Sequence, residues 1–490
     1  VDIVDWLVLA AFAAVMIGVG AFYSRTNKTS DDFLLGGRRM SPIALGLSLF
    51  ATIVSTLSYL GNPGEMISHG PMMASQVAAF PFVFFIVGYG LIPLLMRQPV
   101  TSAYELLESR LGTSSRLAGA GVFLLLRFGW MATILYATSS TVLVPLLDLS
   151  QNATPFLCVG LGVVTALYAS AGGLKAVVMT DAIQSMTMLA GAVVTVLVIT
   201  VKMGGVAAWW PSAWPSHWEE PNWGFDPSAR VAFGMLVVST TMWYVCTNGS
   251  DQMSIQRFLS TRDAPTARKT LLVSQVTDGS VSLLLGLTGV AILGFYRFHQ
   301  PDLASAENLR QSGDQLFPRF IMTQMPPGLA GMVLAAILSA ALSSLSSGVN
   351  SACAVVERDF LSRRRRWPSS DAATVTRLKW LTWAVTLIAI ALSMLNLLFV
   401  GNLVERCFKL INLLTAPLFV LFFLALFVRR ANEFGAWAGL LTSIATAVAI
   451  AYSKELQLPW AISFVWIIPC SLLVGTTVGI VASEAKTRLF

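Results

Sequence analysis

Between Leu338 and Ser351 the chain reads LSAALSSLSSGVNS, inside an otherwise apolar segment that runs from about Gly328 to Arg358. At about 100° per residue, Ser339, Ser343, Ser346, Ser347 and Asn350 share one helical face, with Ser344 beside them. A helix satisfies its own backbone, so a stripe of hydroxyls in an apolar span must face something polar. Two chemistries fit it. Small residues let membrane helices approach closely and exchange hydrogen bonds. Alternatively, neutral oxygens on successive turns replace the hydration shell of a hard monovalent cation. A second polar interruption, SLFATIVSTLSYLG from Ser48 to Gly61, sets Ser55, Thr56 and Ser58 among β-branched residues, and Asn62-Pro63-Gly64 follows at once. A third, Ser239 to Gln252, holds Ser239, Thr240, Thr241, Thr247, Asn248 and Gly249. Interrupted helices at corresponding places of two halves point to a transporter's binding site.

The elements that must position these residues follow from composition. With 55% apolar and 12% charged residues in 490, and a mean hydropathy of +0.71, the chain reads as an all-α polytopic membrane protein. Cys158, Cys246, Cys353, Cys407 and Cys470 lie in or beside apolar segments without paired spacing, and His69, His217 and His299 are far apart in sequence. Neither set suggests disulfides, zinc or a metalloenzyme, and no enzymatic activity is expected. Spans of about 20 residues are predicted at thirteen places: 5–24, 44–60, 72–97, 117–146, 154–171, 176–202, 231–250, 268–297, 328–356, 378–398, 402–428, 433–452 and 460–482. The first is preceded by Val1-Asp2-Ile3-Val4-Asp5, without basic residues, and reads as a retained helix rather than a signal peptide.

Placing the N-terminus outside and the C-terminus in the cytoplasm gathers most of the 32 Lys and Arg residues on the inner side, as the positive-inside rule requires. The net charge of +7 is thereby a topology signal, and no nucleic-acid partner is needed. The loop from Lys202 to Arg230 carries Trp209, Trp210, Trp214, Trp218 and Trp223, suited to the membrane interface. A short amphipathic surface helix is expected around 304–320.

Five phrases, in this order, resemble the solute:sodium symporters: Asp31-Asp32-Phe33-Leu34-Leu35-Gly36-Gly37-Arg38; Thr101-Ser102-Ala103-Tyr104-Glu105-Leu106-Leu107-Glu108; Gly172-Gly173-Leu174 through Asp181 and Gln184; Asp251-Gln252 through Gln256-Arg257-Phe258-Leu259-Ser260; and Ser343-Ser344-Leu345-Ser346-Ser347 through Asn350-Ser351. The resemblance implies a LeuT-like arrangement. Residues 1–43 would be a leading helix and cytoplasmic loop, 44–203 and 231–428 two five-helix inverted repeats around the 204–230 loop, and 429–490 two trailing helices. It also implies a symporter, expected to work as a monomer in the lipid bilayer, that couples a small-molecule substrate to sodium ions; the compact loops suggest a bacterial inner membrane.

Residue by residue, the resemblance implies a first sodium site from the carbonyls of Ala51, Val54 and Ala340 with the hydroxyls of Ser343 and Ser344. It implies a second from Asp181, Ser346 and Ser347, with Ser343 shared; a structural aspartate near a helix end is the other reading of Asp181. Ser55, Thr56 and Ser58 would line the substrate pocket, with Gln76, Arg127, Trp130 and Asn248 as further candidates. Sialic-acid carriers place an arginine where this chain has Trp130, and Arg127 stands one turn inward, where it serves an anion or pairs with Asp278. Arg406 and Lys409 are a further place to attract an anion. Asn62-Pro63-Gly64-Glu65 and the Thr101–Glu108 phrase resemble the monocarboxylate and vitamin carriers. Both comparisons favour a carboxylate; a sugar or proline symporter is the alternative, and a sodium-dependent sensor or channel the competing class.

Overall fold

The computed structural model describes residues 2–489 except 26–27, 98–99, 227–228, 304, 365–369, 397–402, 454 and 459–462. All regular structure among the described residues is helical. Among the described residues, nine helices are long and apolar enough to cross a bilayer, and the bent pair Pro42–Ile53 and Thr56–His69 makes ten candidate spans where thirteen were expected. The difference has three sources. The segments expected at 154–171 and 176–202 run together as Gln151–Met203 but are two helices meeting at a kink, where the backbone of Gly173 is not helical. Phe233–Ser250 is shortened and made polar by its Ser, Thr and Asn residues. Leu403–Phe427 is a 25-residue helix at the place expected, and Ile411–Phe427 is the apolar part of it whose side chains are described.

The serine-rich segment forms the most enclosed of these helices, Leu329–Leu361, with the apolar window of its span 83% buried. It packs on Gln151–Met203, on the N-terminal helix Ile3–Ser24 and on Thr113–Leu146. Its first residue follows Gly328, which has no side chain to cap it. Asp5, only 2% exposed, does so from the N-terminal helix: its Oδ1 accepts from the backbone N–H groups of Gly328 and Gly331, both at 2.7 Å. A carboxylate at a helix N-terminus satisfies orphan donors and complements the helix dipole. Asp5→Ala is therefore expected to cost about 1–2 kcal/mol, read as a lower melting temperature in detergent, while Asp5→Asn, which keeps an acceptor, loses less. Equal melting of Asp5→Ala and the parent would remove this capping role.

The first interruption is a true break. Pro42–Ile53 and Thr56–His69 meet at 69°, because Val54 and Ser55 are extended, and Ser55 starts the second half by accepting from Ser58 N at 3.3 Å. Asn62-Pro63-Gly64 does not end the span, as its composition suggested; it lies inside Thr56–His69. The second interruption also differs. Phe233–Ser250 is continuous through Ser239–Gly249, since Ser239 donates to Val465 O (2.7 Å), Asn248 to Tyr244 O (2.8 Å) and Ser250 to Cys246 O (2.8 Å). The chain departs from the helix at Asp251 and starts the short, fully buried helix Gln252–Leu259, whose N-terminus Asp251 caps.

On the face shared with the N-terminus, the Trp-rich loop sits on the end of Thr56–His69, where His217 Nε2 and Trp218 Nε1 contact Ile67 O at 2.8 and 3.2 Å. Burial holds the His217 imidazolium pKa below its usual value. Trp209 and Trp218 are buried, while Trp210, Trp214 and Trp223 are exposed. The expected surface helix is present as Ala306–Gln324.

Candidate functional site

The break and the serine helix meet at the centre of the chain's packing. Ser343 Oγ donates to Ala51 O at 2.8 Å and lies 3.4 Å from Ala340 O, and Ser344 Oγ lies 3.0 Å from Val54 O and 3.3 Å from Thr52 O. The five residues expected at a first sodium site are thus assembled in one place, all buried. The Thr52 carbonyl joins them. Carbonyls freed where a helix unwinds need partners, and these hydroxyls supply them. Hydroxyl and carbonyl oxygens together also form a neutral donor set suited to a hard ion that must be released again.

One turn further along the serine helix lies a charged centre. Asp181, fully buried, accepts from Ser48 Oγ (2.6 Å) and Ser347 Oγ (2.9 Å) through Oδ2 and from Ser346 Oγ (3.3 Å) through Oδ1. Ser346 Oγ also reaches the carbonyl of Ser343 at 3.1 Å, which joins this centre to the first. Thr52 bridges them again, donating to Ser48 O at 2.7 Å and lying 2.9 Å from Ser347 Oγ. Sequence reading missed Ser48, Thr52 and, above all, Arg257. The guanidinium of Arg257 is fully buried and pairs with Asp181 at 3.2 Å. An intramembrane aspartate demands a partner, and the Gln256-Arg257 phrase was the available signal.

The residues expected to line the substrate pocket divide between levels. Ser55 and Ser58 lie 3.3 Å apart at the break, and Thr56 Oγ1 is 3.1 Å from Thr138 Oγ1 and 3.4 Å from Ile337 O. Gln76 lines a small cavity toward the N-terminal face with Asn62, Glu65, Met73 and Ser282. Arg127 pairs with Asp251 rather than Asp278, because the end of Phe233–Ser250 brings the Asp251 carboxylate beside it. Asp278 instead accepts from the Tyr244 hydroxyl. Asn248 lies one turn before Asp251, its Oδ1 without a hydrogen bond, and Trp130 is buried one turn beyond Arg127. The side chains of Arg406 and Lys409 lie outside the described residues.

The face opposite the N-terminus is closed by polar bonds. Gln252 holds Ala103 N (2.7 Å) and Thr101 O (3.0 Å), and Gln256 Nε2 donates to Leu34 O (2.6 Å) and Asn350 Oδ1 (3.0 Å). Arg116 joins Asp359 at 2.6 Å to Glu108 at 2.5 Å. Arg116 and its neighbours Thr113 and Arg363 hold the Glu108 carboxyl at about 2, well below its usual range. Pairs of this kind link the serine helix to the start of Thr113–Leu146, so this face cannot open unless they part.

The comparisons agree with this geometry. The chain is 28% identical over 469 residues to the human sodium-coupled monocarboxylate transporter 1, spanning 93% of this chain and 74% of that protein. It is 27% identical over 465 residues to the sodium/sialic acid symporter NanT of Aliivibrio fischeri, spanning 92% and 88%. A solved sodium-coupled sialic acid symporter, in a substrate-bound outward-open state with a novel sodium site, superposes with a TM-score of 0.83 at 25% identity, over 99% of this chain and 98% of that one. Mhp1, a nucleobase-cation-symport-1 transporter, shares the fold alone, with a TM-score of 0.57 at 14% identity and 95% and 96% coverage. The model of the sodium:solute symporter family matches residues 33–443, and the chain, a LeuT-like sodium-coupled solute symporter, belongs to that family.

Proposed function

We propose that this chain imports a small carboxylate, driven by two sodium ions, by alternating access. The observation that carries the reading is the convergence of the Ala51, Thr52 and Val54 carbonyls with the Ser343 and Ser344 hydroxyls at a break in a buried helix. Asp181 with Ser346, Ser347 and Ser343 would hold the second ion. The thirteen expected spans, divided as a leading helix, two five-helix repeats and two trailing helices, would put the termini on opposite sides, with the N-terminus outside by the positive-inside rule. The Gln252–Leu259 helix then forms the cytoplasmic floor.

A carboxylate is favoured over a sugar by the same break. It sets the N-terminus of Thr56–His69, buried at Ser55 and Thr56, beside the hydroxyls of Ser55 and Ser58, where the helix dipole favours an anion. Two relatives whose names specify monocarboxylates and sialic acid support the same class. Arg127 reaches the anion only on leaving Asp251. Sodium at the break would stabilise the state open to the outside, because it binds that state better. Substrate then closes the outer path, and low internal sodium empties the sites. A potential of 100 mV adds about 2.3 kcal/mol for each charge moved inward.

Thermal unfolding of the purified protein against carboxylates, sialic acids, sugars and proline, each in sodium and in potassium, tests the reading. A ligand that binds only the folded, sodium-loaded state raises the melting temperature with its concentration. Stabilisation by a carboxylate in sodium only is expected. Stabilisation by sugars alone would replace the substrate class, and the absence of any sodium effect would return the serine stripe to helix packing.

A further inference from the structure

Asp181 is the acidic member of the second ion site, yet its charge is already matched. Arg257, with no exposed surface, directs Nη2 to Asp181 Oδ2 at 3.2 Å and to Ser347 Oγ, Nε to Ser48 Oγ at 3.0 Å, and Nη1 to its own helix at Met253 O, 2.7 Å away. Three of these acceptors are the groups that would bind sodium or hold its carboxylate. Arg127 with Asp251, the acid that caps the helix carrying Arg257, is a neutral pair as well. The charges of the two pairs therefore sum to zero before any sodium enters.

We propose that Arg257 is a resident counter-cation that keeps a carboxylate-containing sodium site releasable. This rests on the reading of Asp181 as a ligand of the second sodium. A buried carboxylate without a partner would draw a cation strongly and surrender it slowly. With Arg257 in place, sodium enters a neutral centre and leaves it positive, so the site binds weakly and empties toward a low internal concentration. The guanidinium belongs to the buried Gln252–Leu259 helix, so the same side chain ties the ion site to the polar bonds that close this face.

The test is sodium chloride titration, balanced with potassium chloride, of the melting temperature of the full-length protein. It compares the parent with Arg257→Gln, Arg257→Lys, Asp181→Asn and the Asp181→Asn/Arg257→Gln double variant. Removing a positive charge about one ion diameter from the sodium should lower the half-saturating concentration about tenfold, after allowance for relaxation and water entry. Arg257→Gln is thus expected to melt lower than the parent in potassium, to recover in sodium, and to reach half-saturation at a lower concentration. Arg257→Lys keeps the charge but cannot bridge Ser48, Asp181 and Ser347 together, and is expected to shift in the same direction by less. It carries the test if Arg257→Gln does not fold. The double variant should lose the tightening.

A purely structural arginine would lower melting equally in both salts, and half-saturation unchanged or raised in the arginine variants would overturn the proposal. Asp181→Asn separates the two levels of the argument. If it leaves the sodium curve unchanged, Asp181 is not an ion ligand and the reading beneath the proposal fails. If it removes one component of the curve while the arginine variants do not tighten binding, only the role of Arg257 fails.

Discussion

Ser343→Ala combined with Ser344→Ala is expected to raise the sodium concentration for half-maximal stabilisation or uptake at least about a hundredfold, because hydrogen bonds or ligand contacts to a charged group contribute about 1.5–3 kcal/mol each. The two hydroxyls are the side-chain oxygens facing the Ala51 and Val54 carbonyls. Without them a bare cation at the break keeps carbonyl oxygens alone. The single variants should differ. Ser344 touches the break alone, whereas Ser343 reaches the Asp181 centre through its carbonyl bond from Ser346. Ser344→Ala is therefore expected to weaken one ion, and Ser343→Ala to alter the whole sodium curve if its hydroxyl is shared. Melting in potassium is the control. Each deletion leaves a buried carbonyl without its hydroxyl, so a modest loss of stability is expected in both salts, but the sodium-dependent increment should vanish only if the hydroxyls serve the ion. Ser344→Thr, which keeps the oxygen, should retain much of that increment. A double variant that sodium stabilises as well as the parent would leave the break without an ion.

The serine face was legible because hydroxyls in an apolar segment violate the pattern of a lipid-facing helix, and the violation repeats with helical period. The position of the break was less so. The polar, β-branched stretch Ser48–Gly61 marked the region, and the helix opens inside it at Val54 and Ser55, whereas Asn62-Pro63-Gly64, just beyond, stay helical. What holds it open is a pair of hydroxyls almost 300 positions away, which no local preference records. At Ser239–Gly249 the opposite happened: polar side chains close back onto carbonyls of their own or a neighbouring segment, and the helix stays whole.

Charge posed a different difficulty. Arg257 counted among inner-loop basic residues, and a positive-inside argument is blind to whether a loop residue is buried. The structure folds that loop against Asp181 and Ser347. For Arg127 the sequence offered an anion or Asp278, but spacing along a helix says nothing of rotation about it. The partner is Asp251, at the point where the chain leaves its helix, and Asp278 is held by Tyr244.

Gly173→Ala is expected to destabilise the fold by about 3 kcal/mol or more, since a glycine-only backbone conformation and a steric conflict would both be forced on the new residue. Gly173 has φ 55° and ψ −152°, a combination that L-residues adopt only under strain. A Cβ there would lie 2.8 Å from Phe33 O and 2.9 Å from its ring, and Phe33 is itself fully buried. The conformation bends Gln151–Met203 between its two predicted segments, and Asp181 follows two turns later, aimed at Ser346 and Ser347. Straightening the bend would rotate and shift that carboxylate. Lower folded yield, a lower melting temperature and a weakened sodium response are thus expected together. Gly160→Ala supplies the control on the same helix: it has ordinary helical geometry and open space around its Cβ, and helix propensity alone makes it neutral or stabilising by up to about 1 kcal/mol. If Gly173→Ala melts with Gly160→Ala, the bend is not glycine's doing, and the orientation of Asp181 must be set by its contacts with Ser48, Arg257 and the serine helix instead.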